Sequence, residues 1–235
     1  MNLIIDHLSK SFGEKKVLED IHFSFEEGKI YGLLGRNGAG KTTLFNCLNG
    51  DMRMEQGRFF WMSQGAEREI APEEIGYVLS VPTVPEFLTG REFLKFFIEI
   101  HEGSTPAPQT IDGYFDLLNI VPEDRDRLLK DYSHGMKNKM QMLVHLVAQP
   151  KLLLLDEPLT SLDVVAAEEM KVLLRDLKPG RITILSTHIM ELALDLCDEI
   201  VLLSQGRLQV LPKEELNRQE FKDRIVEALR EDGNA

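Results

Sequence analysis

Short apolar runs separated by turn residues fill the first third of the chain. Gly13 and Gly28 interrupt this pattern, and runs bounded in this way predict β-strands. The predicted strands span residues 3–8, 16–18, 22–25, 29–34, 58–62 and 75–79. We expect the earliest of them to form a small antiparallel sheet that leads into a buried strand at residues 29–34.

The apolar period becomes helical from residue 89. Thr89 and Glu92 have the spacing of a capping box, and apolar residues recur every three or four positions after them, at Phe93, Phe97 and Ile100. Further helices are predicted at residues 111–119 and 133–149, the second of which ends before a proline. These helices predict a separate helical block at about residues 81–134.

Strands and helices alternate in the last third of the chain. Strands are predicted at residues 152–155 and 182–186, helices at 164–177 and after His188, a hairpin at 199–211, and an amphipathic helix at 212–235. Alternation of this kind predicts an α/β fold with a mainly parallel sheet and helices on both faces. No internal repeat or low-complexity tract is recognisable.

Composition narrows the classes of function. The chain has 235 residues and a formal net charge of -12, which argues against a nucleic-acid partner because phosphate backbones are bound by clustered Lys and Arg. The two cysteines, Cys47 and Cys197, lack the spacing of metal ligands. No apolar run approaches the ~18 to 20 residues of a membrane span, and the N-terminus lacks the features of a signal peptide. We therefore expect no direct membrane insertion, so that any membrane role depends on a partner.

A glycine-rich loop is the strongest chemical motif. It follows the predicted buried strand, precedes a predicted helix at residues 42–49, and reads GRNGAGKTT. Its residues are Gly35, Arg36, Asn37, Gly38, Ala39, Gly40, Lys41, Thr42 and Thr43. Glycines let successive N–H groups surround phosphate oxygens, Lys41 would reach the β- and γ-phosphates, and the Thr42 hydroxyl would bind Mg²⁺. The alternative is an ordinary glycine-rich turn between a strand and a helix.

Two carboxylates follow the apolar run at residues 152–155. Asp156 is placed to hold Mg²⁺, and Glu157 is placed to orient or deprotonate an attacking water. His188 follows another predicted strand and would hydrogen-bond a γ-phosphate. Taken alone, each has a structural alternative, namely a solvated turn before Pro158 and a surface histidine. The glycine-rich loop favours the functional interpretation.

The order of these elements resembles the ATP-binding subunit of an ABC transporter over nearly the whole chain. The resemblance implies a RecA-like P-loop NTPase core with a mainly parallel sheet, an N-terminal antiparallel β subdomain and an inserted α-helical subdomain. The core would comprise residues 1–80 and 135–211, the helical subdomain residues 81–134, and a C-terminal helix residues 212–235. ATP and Mg²⁺ are the implied ligands.

The resemblance also assigns residues outside the glycine-rich loop. Phe12 matches the aromatic residue that stacks on adenine, with packing inside the first hairpin as the alternative. Ser133 and Gly135 match the signature sequence, which binds the γ-phosphate of a nucleotide held by a second copy. Ser161 and Asp163 match the loop that links the two sites of a head-to-tail dimer. One chain would therefore hold half of each site.

Two positions depart from the family pattern. Ser80 stands where a glutamine usually touches Mg²⁺ and water, and its shorter side chain would act through a water or slow the turnover. His134 replaces a signature glycine. The YSHGM form of the signature resembles the ATPases of bacterial drug, bacteriocin and peptide-antibiotic exporters.

The function implied is an Mg²⁺-dependent ATPase that powers a separate transmembrane permease. The subunit would be cytoplasmic, held at the inner face of the cell membrane by that permease, and paired with a second ATPase subunit that is identical or different. Export is the implied direction. The alternatives are a soluble ABC ATPase of the iron-sulfur assembly type and a weakly catalytic regulatory subunit.

Overall fold

The computed structural model describes residues 1–101, 110–160 and 162–212, which form ten strands and seven α-helices. The strands are β1 (Asn2–Phe12), β2 (Lys15–Glu26), β3 (Lys29–Leu34), β4 (Gln56–Ser63), β5 (Ala66–Arg68), β6 (Ile75–Val78), β7 (Leu152–Asp156), β8 (Ile182–Thr187), β9 (Glu199–Ser204) and β10 (Arg207–Leu211). The helices are α1 (Lys41–Asn49), α2 (Gly90–Ile100), α3 (Ile111–Leu117), α4 (Pro122–Arg125), α5 (His134–Ala148), α6 (Val164–Asp176) and α7 (Met190–Leu196).

Six strands form the central sheet, in the order β10-β9-β3-β8-β7-β6. All neighbouring strands in it are parallel except β10, which pairs with β9 as an antiparallel edge. Every residue of β7 and β8 is buried, because α-helices and the second sheet cover the two faces. This explains why β7 is apolar up to Asp156 and why β8 contains only apolar and small hydroxyl residues.

A four-stranded antiparallel sheet, ordered β2-β1-β4-β5, packs on one face of the central sheet. Phe25 and Trp61 of this sheet share a core with Leu33 and Leu154 of the central sheet. The Glu19 N–H donates to the Gly206 carbonyl oxygen at 2.8 Å, which joins β2 to the turn between β9 and β10. The mixed architecture confirms the predicted α/β class, with a mainly parallel sheet and an antiparallel N-terminal sheet.

Helices α2, α3 and α4 lie between β6 and α5 in the chain. Thr89 caps α2 by accepting from the Glu92 N–H, while the Glu92 carboxylate accepts from the Thr89 N–H, as the capping box predicts. Leu94 of α2, Phe115 of α3 and Leu143 of α5 meet in a core that continues to the other face of the central sheet. This packing holds the second half of α5 next to the central sheet, where His145 contacts the Tyr77 carbonyl oxygen of β6.

Some predicted boundaries were wrong. Residues 16–18 and 22–25 belong to the single strand β2, because Asp20 takes a left-handed φ of 51° and its N–H donates to Ser9 Oγ, so pairing continues through the irregularity. The short elements β5 and α4 were not predicted. The predicted C-terminal helix at 212–235 and the linking residue Ser161 lie outside the described residues, apart from residue 212.

Candidate functional site

Four neighbouring parallel strands end at the same edge of the central sheet. The glycine-rich loop follows β3, His188 follows β8, Asp156 ends β7, and Ser80 lies two residues beyond β6. Open α/β sheets bind ligands at the carboxyl ends of their strands, near the point where the strand order reverses. The sheet order therefore gathers residues that are far apart in the sequence.

The backbone of the glycine-rich loop requires glycine at two positions. Gly38 and Gly40 have φ values of 84° and 108°, and a Cβ on Gly40 would lie 2.9 Å from Val17 Cγ1. Helix α1 begins directly afterwards, at Lys41. The first N–H groups of a helix have no acceptor within it, and its dipole places partial positive charge there. The loop can therefore hold phosphate oxygens.

The Lys41 side chain is buried beneath this loop. Its Nζ donates to the carbonyl oxygens of Gly35 at 2.6 Å and Arg36 at 3.2 Å, and it lies 3.7 Å from Glu157 Oε1. Burial lowers the pKa of the Lys41 ammonium below its usual value, while the charges of Glu157 and Asp156 oppose this effect. Backbone carbonyls thus hold the ammonium in place beneath the loop, where its charge can interact with a polyphosphate.

Hard oxygen donors lie beside the lysine. Thr42 Oγ1 donates to Asp156 Oδ2 at 2.8 Å, and Ser186 Oγ donates to the other carboxylate oxygen of Asp156. Asp156 is buried at the end of β7. A hydroxyl and a carboxylate next to a phosphate site are the donors that Mg²⁺ accepts in proteins, so these residues fit that ion.

Glu157 and His188 form a contact pair. His188 Nδ1 lies 2.9 Å from Glu157 Oε1, whereas Glu157 Oε2 is buried and has no hydrogen-bond partner among the residues that the structure describes. The Glu157 backbone is left-handed, with φ at 51°, and its N–H donates to Ser186 Oγ at 3.1 Å. Such a conformation costs energy in a residue other than glycine and is typical of functional positions. The uncompensated Oε2 atom is available to accept a hydrogen bond from a water.

A cavity of about 390 Å³ brings most of the predicted nucleotide site together. Phe12, half exposed at the end of β1, lines it together with Ser80 and with Lys15 and Val17 of β2. The predicted residues of the loop and of the end of β7 and the position after it that line the cavity are Asn37, Gly38, Gly40, Lys41, Thr42, Thr43, Asp156 and Glu157. Gly35, Arg36 and His188 touch this cavity's residues through their contacts with Lys41 and Glu157.

The predicted signature residues line a second cavity at the N-termini of α5 and α6. Ser133 caps α5 by accepting from the Met136 N–H at 3.2 Å, and Asp163 caps α6 by accepting from the Ala166 N–H at 2.9 Å. Gly135 lies between them, where a Cβ would approach Leu162 Cδ2 to 3.3 Å. The residues lining this second cavity are Ser133, His134, Gly135, Met136, Lys139, Leu162, Asp163 and Ala166. It shares no lining residue with the first cavity.

Residues 18–160 match the family model described as ABC transporter. The chain belongs to this family.

Several ABC relatives align with most of the chain. A daunorubicin resistance ATP-binding protein of Streptomyces coeruleorubidus is 31% identical, over 98% of this chain and 74% of the relative. A fluoroquinolones export ATP-binding protein of Mycobacterium tuberculosis is 36% identical, over 81% and 63%. A sulfate/thiosulfate import ATP-binding protein of a Synechocystis strain is 32% identical, over 89% and 60%.

Solved structures of ABC proteins have the same fold. An ATP-binding subunit of an ABC transporter superposes with a TM-score of 0.79 at 25% identity, over 97% of this chain and 99% of that one. A dimeric ATP-binding cassette in a post-hydrolysis state, bound to ADP and phosphate, superposes with a TM-score of 0.74 at 17% identity, over 88% and 96%. Because only 17% of residues are identical, the similarity to this second structure shows a shared fold and nothing more.

The sequence analysis missed Ser186 of this ABC chain. This buried residue donates to Asp156 and accepts from the Glu157 N–H, so it orients both carboxylate residues. The sequence could have indicated this role, because Ser186 lies in β8, two residues before His188. The carboxyl ends of the parallel strands β7 and β8 meet, so Ser186 lies beside Asp156.

Proposed function

We propose that the chain binds and hydrolyses ATP in the first cavity and powers a separate transmembrane permease. The observation that carries the proposal is the convergence of Lys41, the Thr42–Asp156 pair and the Glu157–His188 pair on that cavity. Phosphoryl transfer depends on positioning and charge stabilisation. Lys41 would bind the phosphates, the Thr42–Asp156 pair would hold the metal ion, and the Glu157–His188 pair would position the attacking water.

ATP would lie along the glycine-rich loop. The adenine ring would stack on Phe12, which is half exposed at the rim, and the phosphates would reach the N–H groups of residues 35–43 and the Lys41 ammonium. Thr42 and Asp156 would hold Mg²⁺, with Ser80 near it through a water. When bound, Mg²⁺ would neutralise charge on the β- and γ-phosphate oxygens.

Glu157 would act as the base and His188 as its partner. A water that donates to the uncompensated Glu157 Oε2 would be oriented toward the γ-phosphorus, and Glu157 would accept its proton as the bond to ADP breaks. The products are ADP and phosphate. The ring of His188, fixed by Glu157 through Nδ1, would turn Nε2 toward the γ-phosphate. This intact pair argues against a weakly catalytic regulatory subunit.

The second cavity implies a second subunit. The second cavity is lined by Ser133, Gly135 and Asp163 at two helix N-termini, and Lys41 lines only the first cavity. A nucleotide bound by Lys41 of the same chain would therefore not reach these three residues. In a head-to-tail dimer they would contact the γ-phosphate bound by the partner's loop, and binding of ATP would close the dimer until hydrolysis reopens it. The partner would be identical or a related chain.

The helical subdomain, residues 81–134, would face the permease. Val81, Phe87, Phe96 and Ile100 expose large apolar side chains there, whereas Phe93 is buried against the core. Exposed apolar side chains of this kind suit contact with the apolar face of a helix from a partner. In the part of the chain that is described, every helix is too short or too polar to cross a bilayer. The permease would therefore hold this subunit at the inner face of the membrane, and the drug export and resistance relatives favour export.

A Glu157→Gln variant tests the proposal. It retains the side chain's shape but removes the base, so we expect it to bind Mg-ATP, fail to hydrolyse it and accumulate as a dimer in light scattering. Glu191→Gln, the same chemical change on the exposed start of α7, should behave as the wild type. Wild-type hydrolysis by Glu157→Gln, or a monomer at saturating Mg-ATP, would contradict the assignment.

A further inference from the structure

A second group of metal-ligating side chains lies on the outer face of the antiparallel sheet. Asp6 Oδ1 is 3.3 Å from His22 Nδ1 and 3.7 Å from His7 Nε2. One ligand atom from each of the three residues lies within 4.8 Å of the others. None of the three lines either cavity, so the nucleotide chemistry does not account for them.

A β-bulge brings these side chains together. In the pairing of β1 with β2, Ile5 faces Phe23 and Leu8 faces Ile21, so Asp6 and His7 together oppose His22. Successive residues of a regular strand point to opposite faces, whereas a bulge re-aims one of them. Ile5 and Leu8 remain fully buried on either side, while His7 and His22 stay exposed.

The backbone at the bulge takes up an unfavourable conformation. His7 and Asp20 both have left-handed φ values, 55° and 51°. Across the sheet, Gly57 of β4 is required, because a Cβ there would lie 2.4 Å from the His7 carbonyl oxygen. Strain at residues other than glycine persists where the surroundings hold it in place, and it is concentrated at functional positions.

Neighbouring groups orient the ligands as in known metal sites. His7 Nδ1 lies 2.6 Å from Asp20 Oδ1, so in the metal-bound form the Asp20 carboxylate would accept the Nδ1 proton and Nε2, which faces Asp6, would bind the ion. The second oxygen of Asp6 lies 3.5 Å from Arg58 Nε.

We propose that Asp6, His7 and His22 bind a divalent transition-metal ion such as Zn²⁺, with water in a fourth position. Metal–ligand bonds of about 2.0 to 2.1 Å give neighbouring ligand atoms of a tetrahedron a separation of roughly 3.4 Å. The separations from Asp6 are close to this value, and the two imidazole nitrogens lie within 4.8 Å of each other, a gap that rotation of the exposed His22 ring would have to shorten. Two imidazoles and one carboxylate suit Zn²⁺ and its neighbours better than Mg²⁺ or Ca²⁺, which prefer oxygen ligands.

The bound ion would clamp the hairpin formed by β1 and β2. The same hairpin carries Phe12, Lys15 and Val17 to the first cavity. An ion that binds only the folded chain stabilises it by an amount that grows with the logarithm of the ion concentration above the dissociation constant, so Zn²⁺ should raise the melting temperature.

Metal titration of the full chain, stripped of metal and free of nucleotide, tests the site. At about pH 8, where imidazole is neutral, we expect one Co²⁺ per chain with visible absorption bands of a tetrahedral ion, and displacement of Co²⁺ by Zn²⁺. His22→Thr, which keeps strand propensity, and His7→Asn, which tolerates a left-handed φ, should each lose this spectrum and the Zn²⁺-dependent rise in melting temperature. Asp20→Asn should weaken binding by about 10- to 100-fold, because it removes only the contact that orients His7.

His101→Ala, which removes a histidine outside the cluster, is the matched control and should bind Co²⁺ as the wild type does. Circular dichroism without metal shows whether each variant is folded. A wild type that binds no Co²⁺ at tens of micromolar would overturn the proposal. Folded His7→Asn and His22→Thr variants with the wild-type affinity and spectrum would also overturn it.

Discussion

The Lys41 ammonium is fixed by two backbone carbonyls and faces the phosphate-binding loop. Lys41→Ala removes charge-assisted hydrogen bonds worth about 1.5 to 3 kcal/mol each, so ATP affinity should fall by roughly 100-fold or more. Calorimetric titration with a non-hydrolysable ATP analogue measures this change. Lys15→Ala, at an exposed lysine lining the same cavity, is the control and should have a much smaller effect. Unchanged affinity in Lys41→Ala would refute the phosphate site.

Ser80 gives the second prediction for a single residue. Its side chain lines the first cavity at the end of β6, and the preceding Leu79 N–H donates to Gln141 Oε1 of α5 at 3.2 Å. A glutamine at position 80 would extend toward Asp156 and Glu157, so Ser80→Gln should raise the basal ATPase rate or leave it unchanged. Steady-state phosphate release measures the rate, with Ser80→Ala as a control for loss of the hydroxyl alone. A collapse of turnover in Ser80→Gln would show that the loop has another role.

Residue types indicated much of the candidate site but not all of it. Lys41, Asp156 and Glu157 occur in motifs whose chemistry is readable from spacing, and the structure gathers them. Ser186 was missed because it is one of three hydroxyl residues in β8 and no motif distinguishes it, and its role depends on the β7–β8 register. The group formed by Asp6, His7 and His22 was missed for a related reason, since a bulge changes which residues share a face.

Glu74 connects elements of the two sheets. Its carboxylate accepts hydrogen bonds from Trp61 of β4, Arg68 of β5, the Ala71 N–H and Lys151, which precedes β7. The hydrogen bond from Arg68 is the largest cause that holds the pKa of Glu74 well below its usual value of 4.5, with Lys151, Ala71 and Trp61 contributing. The folded chain therefore binds fewer protons than the unfolded chain below about pH 4.5.

Glu74→Gln should consequently destabilise the fold in a pH-dependent way. Loss of the charge should cost about 2 kcal/mol of unfolding free energy near neutral pH. The difference from the wild type should narrow as the pH falls below about 4.5, since the wild-type stabilisation is complete above the unfolded pKa and is lost below it. Urea unfolding followed by circular dichroism measures both values. Glu73→Gln, at the exposed neighbouring position, should change little, and an equal loss in the two variants would contradict the linking role.

Apart from β1, whose pairing continues from its predicted end at Leu8 to Phe12, and β2, the predicted strands and helices that the structure describes agree with it to within a residue or two. Strand β3 was predicted at its observed bounds because it is buried on both faces and flanked by glycines. Strand β2 was divided in the prediction because Glu19 and Asp20 interrupt its apolar pattern, although pairing with β1 maintains the strand. Tertiary pairing overrides a local signal of this kind.

At the scale of the whole molecule, each proposed ATP site would use the first cavity of one subunit and the second cavity of its partner. Phosphate-binding residues line one cavity, and the residues proposed to contact a partner's γ-phosphate line the other. A rotational dimer would create two composite sites, each using Lys41 of one chain and Ser133 of its partner. Loss of Lys41 in one chain and loss of Ser133 in the other would then damage the same composite site.

Mixing two inactive variants tests this division. Lys41→Ala and Ser133→Arg should each be inactive alone, because each damages both sites of its homodimer. In an equal mixture, about half of the dimers would pair the two variants and retain one intact site, so roughly a quarter of the wild-type ATPase rate should return if the sites act independently.

Lys41→Ala mixed with Glu157→Gln is the control. Both changes lie in the first cavity, so every mixed dimer has two damaged sites and no activity should return. Equal recovery in the two mixtures, or none in the first, would contradict a shared site.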